Sequence, residues 1–347
     1  MKKKNKTMLR VKSWLSLCLL PVVLFSACSP SVASSSAAGG SLPTVVMSQP
    51  VPSAPIAPSV PSTPPASSQL PQSQPAPTPP TFAFTEEELA RLNTLLDEWA
   101  AVKEEEEQGG HNVAVYFQDL DSGLTYTYNS EKVFAVASLN KAPYSMYLYH
   151  LVETGAASLT EKFWVTTAML ESSQENSGKL KEMEDLPKEF TLEELLYYLL
   201  HYSDTAAFKI LLARYGAAGY KTYLQEIEVP TEHVRNVING RITAPEAGAY
   251  LNALYNFMQS SQYGPALHTE LSNTRYKMIR SAHPYAGKYG WDEGAYHDMA
   301  IIYAPHPYAL AVLTGKDEGT AATNKVFATI AAVFEEIMEQ KWAVVEG

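Results

Sequence analysis

Ser138 and Lys141 are the residues from which a reaction can first be read. Ser138 is the only serine in the 347 residues with a lysine three positions later. A serine hydroxyl is a weak nucleophile and needs a neighbouring base. The run that follows, Pro143-Tyr144-Ser145-Met146-Tyr147-Leu148-Tyr149, predicts a helix, on which positions i and i+3 share a face. Ser138 is therefore expected in the first helical turn with the Lys141 amine close to its hydroxyl. The positive end of the helix dipole would favour developing charge at the oxygen. An isolated S-x-x-K is more often an N-cap serine followed by a surface lysine, so the assignment depends on what else the chain carries.

Two further stretches bear on it. Tyr202-Ser203-Asp204-Thr205-Ala206-Ala207 joins two helical runs, so Ser203 could present its hydroxyl from a loop end. Taken alone, Ser-Asp before a helix is an N-cap. Lys288-Tyr289-Gly290 lies on a predicted strand, where the ordinary expectation is a lysine on a solvent-facing edge. A glycine there would let a substrate backbone approach and pair with the strand.

The elements that must position these residues are legible from periodicity and punctuation. Thr85-Glu86-Glu87-Glu88 is a capping box opening a helix through Leu89, Leu92, Leu95, Leu96 and Trp99. Strands are expected over 112–117 and 124–128, joined by Asp121-Ser122-Gly123. A second capping box, Thr191-Leu192-Glu193-Glu194, feeds Leu195, Leu196, Leu199 and Leu200, and helices are expected over 205–215, 217–227, 244–258 and 266–279. Strands return at 285–291, 299–303 and 308–313, and a last helix spans about 320–340. The fold class is α/β. Two early strands and three late ones form one antiparallel five-stranded sheet with flanking terminal helices, and the helical middle forms an all-α lobe. The seam between the two is the expected cleft.

The order and spacing of the three motifs resemble the penicillin-recognising serine hydrolases, most closely the class A β-lactamase branch. The similarity runs from about residue 111 to 342. It includes Asn176-Ser177-Gly178-Lys179-Leu180, Ile242-Thr243-Ala244-Pro245 and His297-Asp298-Met299-Ala300-Ile301. The resemblance implies a β-lactamase/transpeptidase-like fold, no cofactor or metal, and β-lactams or peptidoglycan stem peptides as partners. Ser138 would be the acylated nucleophile, Lys141 its base or proton relay, and Ser203 the donor to the leaving nitrogen. Lys288 would hold the substrate carboxylate and assist that relay. The backbone N–H groups of Ser138 and of a late-strand residue near Trp291 would form the oxyanion hole.

Departures from the family pattern are equally specific. Thr205 stands where the family has asparagine, and Tyr289 replaces the threonine of K-T-G, crowding or capping the carboxylate pocket beside Gly290. No arginine follows the lysine motif, where only His297 is found. Glu232-His233-Val234-Arg235-Asn236 has the outer spacing of the family's deacylating glutamate loop, but carries arginine for leucine and is about four residues shorter. Glu232 is the candidate base, and a solvated loop acid is the plainer reading. Three readings follow: a serine acyl-enzyme slow to deacylate, a true β-lactamase using Glu232, or a catalytically weak wall-peptide binding module.

The start of the chain bounds where this would happen. Residues 1–27 carry six basic residues and no acid, and the apolar run from Trp14 to Phe25 ends at Ser26-Ala27-Cys28. This is the pattern of a secretory signal. Its end resembles a bacterial lipobox, which makes Cys28 the expected lipidation site and membrane anchor. Cys18 lies inside the segment removed, leaving no thiol for a disulfide or metal site. Residues 28–83 form a tether with no charged residue and 14 of the 23 prolines. It would span about 170 Å if wholly polyproline-like and about 40 Å as a loose coil. The rest, 84–347, is the expected catalytic domain, extracytoplasmic and monomeric. It holds 20 basic against 37 acidic residues, a formal −17, which argues against nucleic acid as a partner.

Overall fold

The computed structural model describes residues 79–101, 113–171, 178–232, 234, 237–315 and 321–347. The expected signal, Cys28 and all but the end of the tether lie outside the described residues, as do Asn176, Ser177, His233, Arg235 and Asn236.

The Thr85 capping box forms as the sequence predicts. Thr85 N–H donates to Glu88 Oε2 (2.7 Å) and Glu88 N–H to Thr85 Oγ1 (3.2 Å), starting α1 (Glu86–Ala101). Next come β1 (Val113–Asp119), β2 (Thr125–Tyr128) and β3 (Phe134–Ala135). They lead to α2 (Lys141–Glu153), β4 (Lys162–Val165), α3 (Thr167–Glu171) and β5 (Lys188–Thr191). The helical middle continues with α4 (Leu192–His201), α5 (Thr205–Tyr215) and α6 (Ala218–Glu226). After β6 (Arg241–Ile242) it resumes with α7 (Ala244–Ser260) and α8 (Gly264–Ser272). The chain closes with β7 (Tyr285–Asp292), β8 (Ala295–Ile302), β9 (Tyr308–Thr314) and α9 (Ala321–Glu346).

The sheet runs β2-β1-β9-β8-β7, every neighbouring pair antiparallel, so the β1–β9 ladder joins the early and late parts of the chain. Alternation along β1 divides the core. Val113, Val115 and Phe117 face α1 and α9, where the Phe117 and Phe334 rings stack 4.0 Å apart. Ala114 and Tyr116 face the helical lobe, whose centre is built by α4 and α7. Phe82 packs edge-on against Trp342 at 5.0 Å, so the packed part starts slightly before residue 84.

The differences from the sequence expectation are local. Two small ladders, β3–β6 and β4–β5, lie within the helical middle. Strands of two to four residues are too short to show a period. The helix expected over 266–279 stops at Ser272. Asp298 takes the next segment out of helix by accepting hydrogen bonds from Met278 N–H (2.8 Å) and Ile279 N–H (2.9 Å). That segment, 273–284, runs to the edge strand β7.

Candidate active site

The Ser138 turn is set from both sides. Phe134 pairs with Ile242 and Ala135 with Arg241, and Val136 N–H donates to Gly240 O at 2.9 Å. Ala137 then takes a left-handed φ of 47°, a conformation that costs a non-glycine residue roughly 1–2 kcal/mol. A tight turn follows, with Leu139 N–H donating to Val136 O (3.2 Å) and Lys141 N–H to Ser138 O (3.4 Å). Asn140 is the N-cap of α2, without a side-chain cap. Ser138 therefore stands just ahead of the helix rather than in its first turn, at the positive end of the dipole. Among the described residues neither its N–H nor its Oγ is committed to a hydrogen bond. Gly290 of β7 lies against this turn. A Cβ there would sit 3.1 Å from Leu139 Cγ and 3.3 Å from the Ala137 Cβ, so its smallness is already used by the Ser138 turn.

Asp204, and not Ser203, caps α5. Its buried carboxylate accepts from Ala207 N–H (2.9 Å) and, across the cleft wall, from Leu180 N–H (2.8 Å). A Cβ on Gly178 would lie 2.3 Å from Asp204 Oδ2. The capping work is done by the neighbour, so Ser203, held at φ 55°, is released to the cleft.

Two buried lysines meet at Ser203. Lys141 Nζ donates to Ser203 O (2.5 Å), Thr205 Oγ1 (3.2 Å) and Ser203 Oγ (3.4 Å). Among the described residues no hydrogen bond joins it to Ser138. Burial lowers its pKa to about 7, against a partial upward pull from Asp204 and Asp292. That places a free amine, a competent base, within the neutral range. Lys288 Nζ donates to Ser203 Oγ (2.9 Å) and Tyr289 O (2.7 Å). Burial, and then the Lys141 charge, push its pKa well below the usual lysine value. Both side chains are almost wholly out of solvent, at 2% and 0% exposed, which excludes the surface-lysine reading for either.

Ser138, Ser203, Tyr289 and Trp291 line one cleft of about 450 Å³. Arg275 and Tyr276 line it too, and sequence reasoning missed both because they fall where a helix was expected. The available signal was Asp298. Its Oδ1 also accepts from Tyr285 Oη (2.7 Å), and burial pushes its pKa to about 6. Tyr289 is buried, its pKa pushed up to about 12 by that burial. Trp291 is 47% exposed and stands edge-on to Tyr276 and Tyr296.

One expectation needs correction. His297 is fully buried and does not line the cleft. Its Nε2 lies 2.9 Å from Ala135 O, and its Nδ1 accepts from Thr314 N–H at 2.9 Å. Burial lowers its pKa to about 4, so the ring is neutral and ties β3 to the sheet instead of touching substrate. Glu232 is exposed and lies outside the residues that line the cleft, in keeping with the plainer reading of a solvated loop acid.

Comparisons with known proteins agree with this architecture. The family model described as the Beta-lactamase enzyme family matches residues 95–338. No curated protein matches the sequence. Among solved structures, a β-lactamase from Sphaerobacter thermophilus is similar over 72% of this chain and 98% of its own, at 18% identity and a TM-score of 0.62. PBP-A is similar over 76% of this chain and 100% of its own, at 16% identity and a TM-score of 0.63. A point mutant of PBP-A, solved as an acyl-enzyme complex with penicillin G, covers 72% and 97% at 16% identity and a TM-score of 0.58. The chain belongs to the β-lactamase enzyme family.

Proposed function

We propose that the protein is a serine acyl-enzyme hydrolase, acylated at Ser138 by β-lactams or peptidoglycan-type peptides and slow to release the acyl group. The observation that carries this reading is the convergence of Lys141 and Lys288 on Ser203, beside an uncommitted Ser138. In the forward step neutral Lys141 takes the Ser138 proton as Oγ attacks the carbonyl carbon. Ser203 gives its proton to the departing nitrogen. It is then reprotonated through the lysines that contact it. The Ser138 N–H and a strand N–H near Trp291 receive the oxyanion, an arrangement in which one donor is typically worth about 10²–10³ in rate. Thr205 Oγ1 accepts from Lys141, while the amide contact to substrate that the family's asparagine would supply is lost.

Release of the acyl group needs an activated water. The only acid the sequence offers for this on the family pattern, Glu232, is turned to solvent, which supports accumulation of the acyl-enzyme. Rapid mixing with a chromogenic cephalosporin should give a stoichiometric burst and then slow turnover. Steady turnover without a burst, lost in Glu232→Gln, would make the protein an ordinary β-lactamase. No reaction at all would leave a binding module.

We further propose that the domain works outside the cytoplasmic membrane on a lipid carried by Cys28, an inference from the basic start, apolar run and Ser26-Ala27-Cys28 ending. Wild type should enter the detergent phase on partitioning and Cys28→Ala should not. Wild type in the aqueous phase would contradict the anchor.

A further inference from the structure

We infer that a second groove, next to the Ser138 cleft, binds the departing part of the substrate, and that this part is a peptide chain bearing acidic side chains rather than a single terminal residue. The inference rests on the acyl-enzyme reading and gives it a substrate class: peptides cut internally, whose nitrogen leaves with an anionic chain attached.

The groove has a volume of about 400 Å³, with Lys277, Met278, Arg280 and Tyr296 among its lining residues. Arg275, Tyr276 and Trp291 line both this groove and the Ser138 cleft, so the two spaces meet across one rim. The aromatic part of that rim, Tyr276 and Trp291, is 41% and 47% exposed, with the rings edge-on and 6.2 Å apart. It lies on the Ser203 side of the cleft. Tyr276 stands edge-on to Tyr289 at 5.2 Å, and the Tyr289 hydroxyl reaches the carbonyl of Tyr202, the residue before Ser203, at 3.5 Å. On the acyl-enzyme reading the C–N bond breaks as the Ser138 ester forms, and Ser203 supplies a proton to the departing nitrogen. Whatever that nitrogen carries is therefore directed at the Tyr276–Trp291 rim, and a chain longer than one residue crosses it into the second groove.

Charge decides what the groove takes. Residues 84–347 hold 20 basic against 37 acidic residues, yet Lys277 and Arg280 line this groove together, with Arg275 at its edge. Among the described residues none of the three forms an ion pair. Among the described residues no acid lines the groove, whereas Asp292 and Glu293 line the cleft. A concentration of cations without acids, in a domain of opposite net charge, complements an anionic chain. The Lys277 ammonium and the Arg280 guanidinium offer donors to its carboxylates. Tyr276, Trp291 and Tyr296 offer amphipathic rings against which its backbone and methylenes pack. A space of this size falls within the range of small-ligand sites and admits a short peptide.

Equilibrium binding of peptides to the chain carrying Ser138→Ala, which has no nucleophile to acylate, tests this. The short probe is N-acetyl-lysyl-D-alanyl-D-alanine, whose leaving side is one residue. Two longer probes extend it by two glutamates or by two glutamines, each ending in an amide. The glutamate form should bind about tenfold more tightly than the glutamine form, as two surface charge contacts would give, and added salt should shrink the ratio. With Lys277→Gln and Arg280→Gln introduced together the ratio should fall close to one. Binding of the short probe should stay unchanged, which also reports that this variant is folded. A ratio near one before those substitutions, or one that survives them, would overturn the inference. So would equal affinity for the acetylated glutamate pair alone, because the groove would then hold anions independently of the cleft. Absence of binding by every probe would overturn it as well. Covalent penicillin labelling of the wild type decides the acyl-enzyme reading separately.

Discussion

The two walls of the cleft relate to the family pattern in opposite ways. On the wall made by the Ser138 turn, α2 and the start of α5, Ser138, Lys141, Ser203 and Asp204 all occupy motif positions. Lys141 and Asp204 are held by contacts that the motif segments supply, the bonds to Ser203 and Thr205 and the Ala207 cap. On the wall made by β7 and the 273–284 segment, tyrosine replaces threonine at 289. The nearby cation at the surface is Arg275 rather than Lys288, and the histidine expected at the site is buried behind it. On the acyl-enzyme reading the first wall, with Lys288 reaching Ser203 from β7, would make and break bonds, and the rest of the second would choose what is brought to them. Proton transfer among Ser138, Lys141, Ser203 and Lys288 would tolerate no change in their types, whereas recognition is free to be rebuilt around a different substrate.

If that division is right, mutations on the two walls should differ in kind. The largest effect is expected at Lys141. Lys141→Ala should slow acylation by roughly 10²–10⁴ while the nucleophile remains. If the base in the wild type is the neutral amine, the acylation rate should rise with pH through about 7 and level off above it. A rate independent of pH across that range, measured by stopped-flow with a fluorescent penicillin, would remove Lys141 from the base role.

Asp204→Ala comes next and acts on the fold. It leaves the N–H groups of Ala207 and Leu180 without their buried acceptor, a loss of about 2 kcal/mol or more of stability. Denaturant unfolding measures this directly. A loss below roughly 0.5 kcal/mol would mean that the chemical wall does not depend on the cap.

The smallest effect belongs to the recognition wall. Tyr289→Thr should speed acylation by a carboxylate-bearing β-lactam by a few-fold, because it opens a path to Lys288, and should leave the slow release phase unchanged. Acceleration of the slow phase would show that the two walls are not separable.

How much of this was legible in the sequence follows the same line. Capping boxes at Thr85 and Thr191, alternation in 113–117 and the three late strands placed the sheet and its flanking helices, because each rests on local chemistry. Ser138, Lys141, Ser203 and Lys288 could be named because their spacing is a motif, although the turn ahead of α2 could not. The bond that Asp204 accepts from Leu180, the burial of His297 and the arrival of Arg275 are products of tertiary packing. They depend on Leu180, Ala135 and Asp298, residues distant in sequence, and no window of the chain contains both partners.

The central claim is that the first wall still performs acyl transfer. Intact-mass analysis of the wild type and Ser138→Ala during incubation with benzylpenicillin tests it most directly. The account predicts a single penicilloyl adduct on the wild type that persists while substrate is slowly consumed, mapped by peptide analysis to Ser138 and missing from the mutant. An unmodified wild type with intact substrate, or an adduct that forms equally on Ser138→Ala, would contradict it.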